Sequence, residues 1–192
     1  MNEVMKFKHK NQNKILVVDY DELAESPREW DNLSIMAIKS REFNLSDNLD
    51  FDIPQDLTFE EFEEYLIKEQ KAVLTIPLWL YNHSGISLST SSICRWDSSP
   101  IGYAFVTKEI LRKEFNVKNI TNNILEKAKK IIMGEIETYN KYLSGEVFSY
   151  SIYEIKKCEL GHTHKEYIES CGGFFGLDEI WNYEDKEEWE EI

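Results

Sequence analysis

The spacing of apolar residues changes several times along this chain, and each change marks an element. Ile15-Leu16-Val17-Val18-Asp19-Tyr20 is rich in β-branched residues and predicts a strand over 15–20. Residues 25–32 are polar around Pro27 and read as a turn or short helix; residues 33–39 fit a strand or a helix end equally. Residues 43–57, with Pro54 and several Asp and Asn, read as a loop. Thr58 followed by Glu61 is a capping box, in which hydroxyl and carboxylate each satisfy the other residue's backbone N–H. With Phe62, Leu66 and Glu69 at helical spacing, it predicts a helix over 59–70. Short strands are predicted at 72–80, 86–90 and 101–106, joined by turns. Thr107 caps a short helix to Phe115, and the stripe Ile124, Leu125, Ala128, Ile131, Ile132, Tyr139 predicts a longer one over 121–143, ended by Ser144-Gly145. Residues 146–157 alternate as a strand, while 181–192, acidic with Trp181, Tyr183 and Trp189, reads as an amphipathic helix or a tail that orders on a partner. The pattern implies an α+β fold: a single domain with a mostly antiparallel sheet packed by two or three helices. The expected organisation is a basic N-terminal segment over 1–18, the domain over 19–177 and an acidic aromatic tail over 178–192.

Composition narrows the class. Ten Phe, ten Tyr and five Trp in 192 residues exclude a disordered acidic polymer. Three cysteines suit a reducing compartment, no apolar leader run follows the basic start, and the longest apolar run, 72–81, is too short to span a bilayer. The expected location is the cytoplasm of a host cell. The net charge of −14 is uneven: residues 1–18 carry +3, 19–70 carry −12, 71–145 carry +4 and 146–192 carry −9. Two acidic blocks disfavour direct nucleic-acid and anionic-membrane binding, and suit either solubility or attraction to a basic partner.

Candidate chemistry is scattered. His83, Cys94 and Asp97 are the residue types of a nucleophile, base and orienting acid near strand ends; turn chemistry accounts for the same residues. Cys158, His162, His164 and Cys171 are soft or borderline metal ligands within fourteen residues, without the close cysteine pair of a zinc finger. Cys171-Gly172-Gly173-Phe174-Phe175-Gly176 lacks P-loop spacing and reads as a tight turn that docks two phenylalanines. No motif implies a cofactor.

Four segments together carry a resemblance: Glu25-Ser26-Pro27-Arg28-Glu29-Trp30-Asp31-Asn32, Leu78–Tyr81 with His83-Ser84-Gly85, Trp96-Asp97-Ser98, and Cys171–Gly176. Over residues 19–177 the chain resembles a family of uncharacterised proteins encoded in phage and other mobile-element genomes, the SPREWDN string being its most specific part. Ser34 stands where members carry Gly, and the His162/His164 insert is peculiar to this chain. The resemblance implies a genomic setting and assigns no catalytic residue. With the acidic blocks, it gives the expectation of a non-enzymatic inhibitor of a host defence or nucleic-acid-handling protein with a basic surface. The acids expected to meet that surface, as phosphate mimics, are Glu60, Glu61, Glu63 and Glu64 on the helix and Glu184, Asp185, Glu187 and Glu188 in the tail. The alternative is a small-ligand binder or hydrolase-like enzyme with a pocket of Arg28, Trp30, Asp31, Asn32, His83 and Ser84, joined by Cys94 and Asp97. Arg28–Asn32 fits an internal salt-bridge and cap network as well.

Overall fold

Among the described residues of the computed structural model, 3–82, 85–92, 94 and 96–192, nine strands and three α-helices form an α+β fold. The strands are antiparallel, as expected, and lie in two sheets rather than one. Contacts divide the chain into two compact units, Met1–Ser26 with Gly145–Ile192, and Pro27–Ser144.

The first unit is a five-stranded sheet. It holds β1 (Glu3–His9), β2 (Lys14–Tyr20), β7 (Val147–Lys157), β8 (Thr163–Phe175) and β9 (Trp189–Glu191), in the order β8-β7-β2-β1-β9. Register places Leu16 opposite both Phe7 and Ile152, and Val18 opposite Tyr150, so one face is continuously apolar. Phe174 joins it opposite Phe148, with its ring stacked 5.5 Å from Tyr150. Residues 177–191 are no free tail. Two 3₁₀ turns, Leu177–Asn182 and Lys186–Glu188, lead into β9, and Ile180 and Trp189 are buried in the same core. The segment at 171–176 is the end of a long strand, not a tight turn, and its two phenylalanines are buried as expected. Its register breaks opposite Ser149, where Gly173 turns to φ 80° and its N–H reaches the Asp21 carboxylate at 2.8 Å.

The second unit is a four-stranded sheet between helices. Strands β3 (Ile35–Ile38), β4 (Ala72–Asn82), β5 (Ile86–Ser89) and β6 (Ser98–Thr107) run in the order β3-β6-β4-β5. Helix α1 (Phe59–Lys68) buries Phe62 and Leu66 with Ala37, Tyr103 and Phe105 on one face. Helix α3 (Asn122–Leu143) buries Ala128, Ile132, Ile136 and Tyr139 with Met36, Ala104 and Val106 on the other. The alternation of β6, Tyr103 and Phe105 one way and Ala104 and Val106 the other, is the period of a strand covered on both sides. Helix α2 (Lys108–Glu114) is the short capped helix, with Thr107 accepting from Ile110.

Strand β5 is an edge, and α3 closes it with one side chain. Asn140 accepts the Leu88 N–H at 2.6 Å through Oδ1 and donates to the Leu88 carbonyl at 2.5 Å through Nδ2. The amide thus stands in for the next strand. Asn140→Leu should destabilise the protein by about 2 kcal/mol, since it leaves both groups of Leu88 unpaired beneath a helix. Urea denaturation measures this, and faster amide exchange at Leu88 is the local signature.

Candidate functional site

The SPREWDN segment builds a buried ion cluster within the second unit. A 3₁₀ turn over Pro27–Glu29 directs Arg28 inward, where its side chain is 7% exposed. Nε donates to Asp47 Oδ1 at 2.9 Å and Nη2 to Asp47 Oδ2 at 2.6 Å, a bidentate fork. Nη2 also donates to the Ser34 carbonyl at 2.8 Å, and Nη1 lies 3.6 Å from Glu135 Oε2. Asp47 Oδ2 accepts the Met36 N–H at 2.8 Å, tying the loop at 45–48 to β3. Glu135, from α3, accepts the N–H groups of Leu33 at 2.6 Å and Ser34 at 3.1 Å, and the Ser34 hydroxyl. The Ser34 side chain is therefore part of the cluster. Asn32 folds back to donate to the carbonyls of Pro27 at 2.8 Å and Trp30 at 3.0 Å.

Above this cluster runs an open groove of about 380 Å³, with Arg28, Trp30, Asp31 and Asn32 along one wall and Asn48 and Asp50 along the other. Four of the six expected pocket residues thus share one groove. His83 and Ser84 lie outside the described residues. Cys94 and Asp97 are in a local turn before β6: the Cys94 thiol is 3.7 Å from Asp97 Oδ2, and Cys94 and Ser98 exchange hydrogen bonds of 3.0 Å. Neither lines the groove.

The four soft ligands do not come together. The N–H of Cys158 closes a hairpin turn onto the His162 carbonyl at 2.9 Å, and His164 pairs with Lys156. Cys171 is opposite Tyr150, seven residues along the strand from His164 and about 20 Å away at the rise of an extended chain. Among the described residues, no group of three or more His, Cys, Asp or Glu side chains is arranged to hold a metal.

Six of the eight expected partner-facing acids are held by contacts within the chain. Glu61 makes the capping box, accepting the Thr58 N–H at 2.8 Å; that bond, with the Thr58 hydroxyl, holds its carboxyl below the usual range. Glu63 accepts from the Thr75 hydroxyl at 2.5 Å, Glu64 pairs with Lys68 at 2.6 Å, and Glu60 is exposed. In the C-terminal segment, Glu184 accepts from the Tyr150 hydroxyl at 3.2 Å. Burial, with the Glu184 charge, pushes that phenol up to about 12, so it stays a donor through the neutral range. Asp185 caps the second 3₁₀ turn through the Glu187 N–H at 3.0 Å, and Glu188 lies 3.4 Å from His9 Nε2. Lys10 binds the backbone of the same turn, its Nζ at 2.6 Å from the Glu187 carbonyl and its N–H at 2.8 Å from the Glu188 carbonyl.

No protein-family model, curated protein or solved structure matches the chain.

Sequence reading missed Asp47 and Glu135. Glu135 does carry a signal: it falls three residues after Ile132 and four before Tyr139, on the apolar stripe of α3. An acid at such a position needs a buried partner. Asp47 sits among four Asp and two Asn in a polar loop, with nothing to distinguish it.

Proposed function

We propose that this protein is a non-enzymatic acidic inhibitor, encoded by a phage or other mobile element, that binds the basic surface of a host defence or nucleic-acid-handling protein. The observation that carries the reading is the docking of the C-terminal segment onto β1. Asp178, Asp185, Glu187, Glu188, Glu190 and Glu191 are exposed carboxylates within fourteen residues, on backbone held by two 3₁₀ turns and a strand. A fixed array of anions meets a cationic groove without the entropy cost of ordering a tail. The first unit holds eighteen acids against eight bases, so its field favours a basic partner. The resemblance to phage-encoded proteins supports the setting.

The test is a pull-down of the tagged chain from host lysate, eluted by a salt step and by competing duplex DNA. The expected result is a nucleic-acid-handling protein released by both, because counterion release and phosphate competition act on the same groove. Glu187→Lys should reduce capture several-fold, and Glu60→Lys reports whether α1 takes part. Capture that survives both salt and charge reversal overturns the mimic reading.

A second reading draws on the groove over Arg28. Trp30, half exposed at its wall, with Asn32 and Asp31, offers a face and polar edges to a small ligand. The Arg28 fork is committed to Asp47, so the groove offers a ligand the Trp30 face and neighbouring polar edges rather than that guanidinium fork.

A further inference from the structure

Beneath the C-terminal segment, the first unit has a partly open cavity of about 180 Å³, apolar within and charged at its edge. Its floor is the apolar face of β1 and β2, with Phe7 and Val18, and Ile180 and Trp181 from the first 3₁₀ turn of the C-terminal segment close over it. The Phe7 and Trp181 rings meet edge to face at 5.0 Å and 87°. Three charged side chains from three different elements ring the opening: Asp178 from that turn, Lys186 from the next, and Glu191 from β9. Glu191 is opposite Phe7 in the ladder, so it stands on the face that carries the cavity.

We propose that this cavity is a binding site for a small aryl-alkyl ammonium compound. The ring occupies the apolar floor against Phe7 and Trp181, and the ammonium sits at the mouth with Asp178 and Glu191. Three observations select this class. The first is size: a cavity of about 150 Å³ takes a benzene ring, so this one holds a ring and a short chain. The second is the charge of the rim, two carboxylates to one ammonium, in a unit whose net charge is strongly negative. The third is that the chain already places a cation there. Lys186 Nζ lies 5.7 Å from the centroid of Trp181, on the face where the ring quadrupole attracts an ammonium. A ligand ammonium takes over that position and releases Lys186 to solvent, where its long stem is at ease. Neutral aromatics gain only the floor; anionic ones meet the field of the unit. This proposal does not rest on the partner reading: Asp178 and Glu191 also belong to the exposed acidic array, but the apolar floor and the Trp181 ring, which a basic partner does not need, select the amine.

The test uses the full chain and three probes of matched shape: 2-phenylethylamine, 2-phenylethanol and 3-phenylpropanoate. Binding is followed by calorimetry and by the tryptophan indole N–H resonances, with that of Trp181 assigned by Trp181→Phe. The amine is expected to bind one-to-one with a dissociation constant of about 1 mM or tighter, to shift the Trp181 indole, and to exceed the alcohol roughly tenfold. Asp178→Asn with Glu191→Gln should bring the amine down to the level of the alcohol without altering the melting temperature by more than a few degrees. Lys186→Met, which removes the resident cation, should tighten the amine several-fold. Equal binding of amine and alcohol, no saturation by the amine, or saturation that leaves the Trp181 resonance unmoved overturns the proposal. A pull-down with no partner leaves this result untouched, and absence of amine binding leaves the inhibitor reading untouched.

Discussion

Gly102→Ala should be the most damaging single-methyl change in this protein, costing about 3 kcal/mol or more. A Cβ at this position would lie 2.1 Å from the Ala37 carbonyl oxygen and 2.8 Å from the Ile38 Cα. Both obstacles are backbone, so no rotamer change relieves them. They belong to β3, which pairs with β6 as an edge strand through Gly102 opposite Ile38. Making room means separating the two strands there. That also moves Met36, Ala37 and Ile38 out of the cores on the two sheet faces. Urea denaturation of the variant, if it accumulates in soluble form, is the measurement. Gly134→Ala is the control. It is an exposed glycine inside α3 whose added Cβ would meet nothing within 4 Å, so helix propensity alone should raise stability by about 1 kcal/mol. Equal effects at the two positions would show that the close approach of β3 to β6 does not matter energetically.

Asp47→Ala should cost about 3–5 kcal/mol, the range for removing one partner of a buried ion pair. The loss has two parts. Arg28, 7% exposed, keeps its charge but loses the bidentate acceptor, and the Met36 N–H loses its bond. Glu135, 3.6 Å from Nη1, compensates only in part, because its oxygens already hold the Leu33 and Ser34 N–H groups. Replacing both partners, Arg28→Met with Asp47→Leu, should cost clearly less than the sum of the singles, because no orphaned charge stays behind. Chemical denaturation of the two singles and the double closes the cycle. Additive losses would mean that Arg28 and Asp47 act separately, and the clamp described for the SPREWDN segment would be wrong.

How far the sequence reaches is clearest where local chemistry is strong. The α1 capping box was legible because Thr58 and Glu61 are three residues apart, and the structure contains both of its hydrogen bonds. The stripe of α3, the capped start of α2 and the alternation of β7 were legible for the same reason: each is a period within one element. Ile131 of the expected stripe is exposed, however, and Ile136 is buried in its stead. Strand β1 was hidden because alternating lysines made it resemble a basic leader; Lys6 and Lys8 are the polar partners of Val17 and Ile15 across the ladder. Strand β8 was hidden because residues 163–173 are exposed throughout, so no apolar alternation marks them.

The candidate sites divide along the same line. The residue types of the Arg28 segment suggested an internal salt-bridge and cap network, and the residues supplying it locally, Arg28 and Asn32, could be named. Asp47 and Glu135, 19 and 107 residues further on, could not, since a partner so distant in sequence is chosen by packing. The amine cavity is the extreme case. Its floor comes from residues 5–18 and its roof and rim from 177–191, and neither stretch has a binding motif of its own.

What the sequence determined by itself was therefore the α+β class, the principal helices with their caps, and the acidic balance of the chain, because each depends on neighbours within a few residues or on composition alone. Only the tertiary structure decided that the strands form two sheets, that the acidic segment docks on β1, and which carboxylates are tied to the fold and which face solvent. Most of those outcomes depend on pairings far apart in sequence, as between Ile38 and Gly102 or Phe7 and Glu191. Their free energy comes from removing apolar surface and buried charge from water together, a cooperative quantity that no local period encodes.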